Sequence, residues 1–106
     1  MEASPVEKLV YVLLLAALKK KAERIDMRAG RDAFVIDFTI DGMRREEMRP
    51  PALLREAVFD RLREMTGDPG RIHLVIGEER HVYFTVALDV AGPVWRCELR
   101  PIASVD

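Results

Sequence analysis

The residues able to do chemistry are few, and their spacing suits none of the common sites. His73, His81 and Cys97 are the only histidines and cysteine in the 106-residue chain. A zinc-type centre needs three or four such ligands at motif spacing. Neither histidine has a carboxylate or cysteine so placed, and both read as structural or surface residues. Cys97 falls between Trp95 and Leu99 on what should be an inward strand face, where apolar surroundings raise a thiol pKa and blunt its nucleophilicity. Glu46-Glu47 and Glu78-Glu79 are adjacent carboxylates, but neighbours along a strand point to opposite faces and cannot flank one substrate. Serine occurs at Ser4 and Ser104 alone; the first suits a helix cap and the second a terminal tail. A phosphate cradle needs glycines followed by a lysine and a hydroxyl residue, a context that none of the six glycines has. The chain is therefore expected to carry no catalytic residue, metal or cofactor.

The elements that hold these residues follow from periodicity. Ser4-Pro5-Val6-Glu7 is a capping-box start. Val6, Leu9, Val10, Leu13, Leu14, Ala17 and Leu18 then recur at the spacing of an apolar helical face, and Lys19, Lys20 and Lys21 suit the negative end of the helix dipole. Ile25 and Met27 alternate with charged residues. After a turn at 29–32, Phe34, Ile36, Phe38 and Ile40 alternate again. Asp41-Gly42 predicts a type I′ hairpin returning through Met43 to Met48. Pro51 can open a second helix with Leu54, Val58, Leu62 and Met65 on one face, and the run from Thr66 to Gly70 ends it. Ile72 to Ile76, Val82 to Val90 and Trp95 to Leu99 give three more strands, the last terminated by Pro101. The predicted class is α+β in the order αβββαβββ, a mainly antiparallel sheet covered by two helices. A single domain should span 4–101, with tails at 1–3 and 102–106.

Bulk composition narrows the function classes. With 49% hydrophobic and 33% charged residues, the chain is of ordinary globular type. A net charge of −1 gives no general field for nucleic acid. One cysteine allows no internal disulfide, so a reducing, cytoplasmic setting is expected. The apolar run from Leu9 to Leu18 is too short to span a bilayer.

Ser-Pro-Val-Glu-Lys-Leu-Val at 4–10 with Leu14 and Leu18, Phe38-Thr39-Ile40-Asp41-Gly42, Pro50-Pro51, Leu62 and Met65-Thr66-Gly67 form an ordered set. Together they resemble the domain that precedes the motor in bacterial type II secretion and type IV pilus assembly ATPases. The resemblance is good over 4–67 and looser beyond. It implies a PAS-like α+β fold that packs against the P-loop domain of its own or a neighbouring subunit. The motor's Walker motifs do not occur in this sequence, while Met1 and the tail after Pro101 suit a small free-standing protein. Where the family carries Ser-Asp-Ile-His-x-Glu, this chain reads Glu23-Arg24-Ile25-Asp26-Met27-Arg28. Where the family has two arginines that reach nucleotide phosphates, it has Asp37 and Thr39. A carboxylate repels such an anion, so the scaffold remains without that chemistry. Asp37 should instead pair with Arg24 or Arg28 on the neighbouring strand, at an exposed site.

The expected function is a non-catalytic protein-interaction or regulatory module, an adaptor associated with a type IV pilus, type II secretion or motility machine. The alternative is a PAS-like small-molecule sensor with Tyr83, Thr85, His81, Arg96 and Arg100 along one polar sheet face. The partner site is expected on the first helix, where Tyr11, Val12 and Leu15 leave the outer side apolar although a surface helix is normally polar there. A second copy of the chain or a heterologous protein could cover it, as could the second helix or the C-terminal tail.

Overall fold

The computed structural model describes residues 4–68 and 70–102. The tails at 1–3 and 103–106, with Ser104, and Pro69 of the helix-ending turn lie outside the described residues.

Helix α1 (Pro5–Lys19) begins as its sequence dictates, with the Ser4 hydroxyl accepting a hydrogen bond from the Glu7 amide at 3.2 Å. It closes through Lys21, whose φ of 58° turns the chain back so that the Ala22 amide reaches the Ala17 carbonyl at 2.8 Å. Val10, Leu13, Leu14 and Ala17 are buried; Val6, Leu9 and Leu18 pack against the rim of the core.

Strands β1 (Arg24–Ala29), β2 (Phe34–Ile40) and β3 (Met43–Met48) form a meander. Asp41 and Gly42 both have positive φ, 52° and 77°, as a type I′ turn requires. Helix α2 (Arg55–Met65) does not start at Pro51. Pro51 is extended, and a 3₁₀ turn at Ala52–Leu54 intervenes, held by the Leu54 amide on the Pro51 carbonyl. Its buried side chains are Val58, Phe59 and Leu62, with Leu54 and Met65 only half-buried. Phe59 is the addition to the expected face, wedged between Phe34 and Trp95 at ring-centroid distances of 6.1 and 5.6 Å.

Thr66–Gly67 is more than a stop signal: it forms a short strand, β4, paired with β5 (Arg71–Ile76). Strands β6 (Arg80–Asp89) and β7 (Trp95–Ile102) complete a seven-stranded sheet in the order β3-β2-β1-β7-β6-β5-β4, antiparallel throughout. Strand β7 runs through Pro101 instead of ending there. Its pairing with β1 finishes at Leu99, and beyond that it has only β6 as a neighbour. The missing amide of Pro101 thus falls on what is locally an edge.

The two helices pack side by side and cover one face of the sheet. That face presents Ile25, Met27, Phe34, Ile36, Phe38, Ile72, Phe84 and Leu99, all essentially inaccessible to solvent. No described helix is long and apolar enough to cross a membrane.

Candidate functional site

Two surfaces bear the residues singled out from the sequence: the outer side of α1 and the open face of the sheet. On α1, helical geometry puts Lys8, Val12, Leu15 and Lys19 on one line with Tyr11 beside it. Tyr11 is 40% and Val12 57% exposed, whereas Leu15 is half-buried. The second helix therefore leaves Tyr11 and Val12 open to solvent.

On the open face, strand register stacks charges into rows. Glu46, Asp37, Asp26 and Glu98 are successive cross-strand partners on β3, β2, β1 and β7. Carboxylates directly opposite one another repel, and neighbouring arginines neutralise them, diagonally across strands at Asp37 and from nearby in sequence at Asp26 and Glu46. Arg28 and Arg44 donate to the same Asp37 oxygen at 3.2 and 2.8 Å. Arg24 donates to Asp26 at 2.7 Å and lies 3.8 Å from Glu98. The bond and charge of Asp26 raise the Arg24 pKa further above its ordinary value. Asp37 thus pairs with Arg28 as expected, while Arg24 goes to Asp26. The site is not exposed, since Asp37 is only 6% accessible. Arg44 is the partner that periodicity missed. The two-residue turn holds the signal for it, because pairing Ile40 with Met43 brings Arg44 opposite Thr39 and diagonal to Asp37.

Arg96 lies across from Arg28 and Asp89 and makes no ion pair among the described residues. With Arg28, Arg44, Asp26 and Glu98 it borders an open depression of about 300 Å³. Further along, His73 Nε2 and His81 Nδ1 are 2.8 Å apart, and the His73 ring stacks on Tyr83. Tyr83, Thr85, His81, Arg96 and Arg100 do share this face, but only Thr85 and Arg100 are direct cross-strand partners.

The remaining chemical candidates are dispersed. Glu46 and Glu47 part to opposite sides, Glu46 toward Arg49 and Glu47 to an ion pair with Lys20 at the C-terminal end of α1. Cys97 is buried, and burial, followed by the charges of Asp26 and Glu98, pushes its thiol up to about 12. Among the described residues no three His, Cys, Asp or Glu side chains are grouped to hold a metal ion. A groove that the sequence did not reveal lies between Leu9 of α1 and the Pro50-Pro51 corner, floored by Met48 and Leu54. Leu53 beside it in sequence is 83% exposed.

No family model matches the sequence. The chain is 35% identical over 94 residues to the type IV pilus assembly ATPase PilB of Myxococcus xanthus strain DK1622. The match covers 80% of this chain and only 17% of that protein. The chain therefore spans less than a fifth of the curated relative it matches.

Proposed function

We propose that this α+β domain is a non-catalytic interaction or regulatory module that acts as an adaptor on a type IV pilus, type II secretion or motility machine. The observation that carries the reading is the collinear similarity to a limited stretch of a pilus assembly ATPase. The buried Asp37, ion-paired where the resemblance puts a phosphate-facing arginine, favours a scaffold turned to binding over one turned to nucleotide. Partner contact is assigned to Tyr11, Val12 and Leu15, since the first two are large side chains left in solvent on a helix whose opposite face is buried.

The test is co-purification of the tagged chain with purified components of a type IV pilus motor. The wild type should retain one component, and Val12→Glu should lose it while keeping its circular dichroism spectrum and melting temperature. Val12 is preferable to Leu15 for this purpose because Leu15 is half-buried. Retention by wild type and Val12→Glu alike would remove α1 from the interface, and failure of the wild type to bind any component would remove the adaptor reading. A second reading, a small-molecule sensor, draws on the depression beside Arg28 and Arg96. A ligand-dependent rise in melting temperature that Arg96→Ala abolishes would favour it.

A further inference from the structure

The charges around the exposed strip of α1 specify what would dock there. Lys8 and Lys19 stand at its two ends, with Lys21 just beyond, and all three are exposed. None of the three makes an ion pair among the described residues, although Lys20 is engaged by Glu47 and most arginines of the molecule are paired. The strip is thus an apolar centre, Val12 with Tyr11 and the edge of Leu15, held between ammonium groups that have no ion-pair partner among the described residues.

A second copy of this chain fits that pattern poorly. In a symmetric antiparallel pairing of two α1 helices centred on the strip, Val12 meets the partner's Leu15 and each Lys8 meets the partner's Lys19. A parallel pairing sets Lys8 against Lys8. Both arrangements concentrate like charge around a small apolar contact, which costs binding free energy, and Glu7, the described acid of α1 nearest the strip, lies beyond Tyr11 on the side of α2. An anionic lipid surface would accept the lysines. It also needs a broad apolar helix face to insert, and the broad face of α1, with Val10, Leu13, Leu14 and Ala17, is turned into the core.

We infer that the strip docks a heterologous protein helix whose narrow apolar stripe is flanked by carboxylates. Such a helix lays one or two aliphatic side chains beside Val12 and Tyr11 and sets its Asp or Glu residues against Lys8 and Lys19, the helix-packing mode in which apolar anchors give affinity and rim charges give orientation. This rests on the assignment of α1 as the partner face and adds the chemistry of the partner.

Two labelled synthetic helical peptides test it against the full chain by fluorescence anisotropy. Both carry leucines at i, i+3 and i+4 spacing; one flanks them with glutamate and the other with lysine. The glutamate peptide should bind about tenfold or more tightly than its lysine twin. Lys8→Glu with Lys19→Glu should reverse that order, and since both side chains are exposed, the melting temperature serves as the check on folding. Equal binding of the two peptides, or binding of neither, overturns the inference. So does self-association in sedimentation that Val12→Glu abolishes, or capture by phosphatidylserine vesicles that the double charge reversal abolishes. If the peptides fail while a pilus component is still retained by the wild type, the docking chemistry is wrong and the adaptor reading stands.

Discussion

The two faces of the sheet are built from the same strands and solve opposite problems. On the helix-covered face, alternate residues are large and apolar, and removal from water drives their packing. On the open face, many of the residues between them are charged, and directly opposed acids coexist because arginines reach them, diagonally from adjacent strands at Asp37 and along the same strand at Asp26 and Glu98. The first face tolerates loss of register poorly because every side chain would move to solvent. The second depends on register even more closely, since a shift by one strand position removes the arginines from the acids they neutralise. The open face is thus an ordered charge lattice, and its order is set by packing on the other side.

The covered face should show the largest response to a single change. Phe84 is fully inaccessible on β6, next to the centre of the sheet. Phe84→Ala should cost about 3–5 kcal/mol of unfolding free energy, the usual loss for a truncated core phenylalanine. Chemical denaturation measures it. A loss below about 1 kcal/mol would mean that β6 is not a core strand and would erase the contrast between the faces.

On the open face the largest effect should come from stranding Asp37. Its carboxylate is buried, whereas Arg28 and Arg44 are each 45% exposed in their side chains. Removing both arginines leaves an uncompensated buried charge, and Arg28→Ala with Arg44→Ala should cost about 3 kcal/mol. Asp37→Asn leaves two cations that water can solvate and should cost distinctly less, about 1 kcal/mol. Denaturation of the two variants side by side decides it, because equal costs would mean that the lattice is ordinary surface charge.

Cys97 joins the two faces, since its side chain is buried on the covered side while Asp26 and Glu98 of the open side contribute to its environment. Its pKa rises from 9.0 to about 12 on folding. The folded state therefore holds the thiol proton more tightly, so the associated stability is complete below pH 9 and is lost as pH climbs toward 12. From about pH 9 upward, the wild type should lose up to ~1.4 kcal/mol per pH unit more than Cys97→Ala. Parallel stability curves for the two proteins would show that the thiol is solvated.

The covered face was legible in the sequence because burial imposes a period that single residues report. Ile25, Met27, Phe34, Ile36, Phe38, Phe84, Cys97 and Leu99 all fell on the expected side. Phe59 escaped because it lies on α2 one position beyond the strict stripe of Val58 and Leu62, and only the placement of Trp95 across from it explains its burial. The open face was legible in pieces. The pairing of Asp37 with Arg28 needs only one hairpin, while the row from Glu46 to Glu98 needs β7 to lie beside β1, a neighbour relation between strands distant in sequence that no local pattern encodes. Pro101 misled for the same reason, because whether a proline sits on an edge depends on how far the adjoining strand extends. The exposed strip of α1 could be anticipated from the helical wheel, but the half-burial of Leu15 could not.

The smallest expected effect concerns an unsatisfied hydroxyl in the lattice. Thr39 stands between Arg24 and Arg44 in the register of the open face, and its hydroxyl oxygen is buried with no hydrogen-bond partner among the described residues. Its main chain is engaged, since the Thr39 carbonyl accepts from the Glu23 amide at 2.7 Å, so the defect is confined to one side-chain atom. A buried hydroxyl without a partner loses its hydration and gains nothing in return. Valine keeps the branched shape and the strand preference while removing that loss. Thr39→Val should raise unfolding free energy by about 0.5–1 kcal/mol and leave the Arg28 and Arg44 contacts to Asp37 intact. A small rise in melting temperature, additive with the effect of Asp37→Asn, is the expected result. A fall instead would mean that the hydroxyl is hydrogen-bonded in solution, and that the open face continues its polar order through Thr39 without a break.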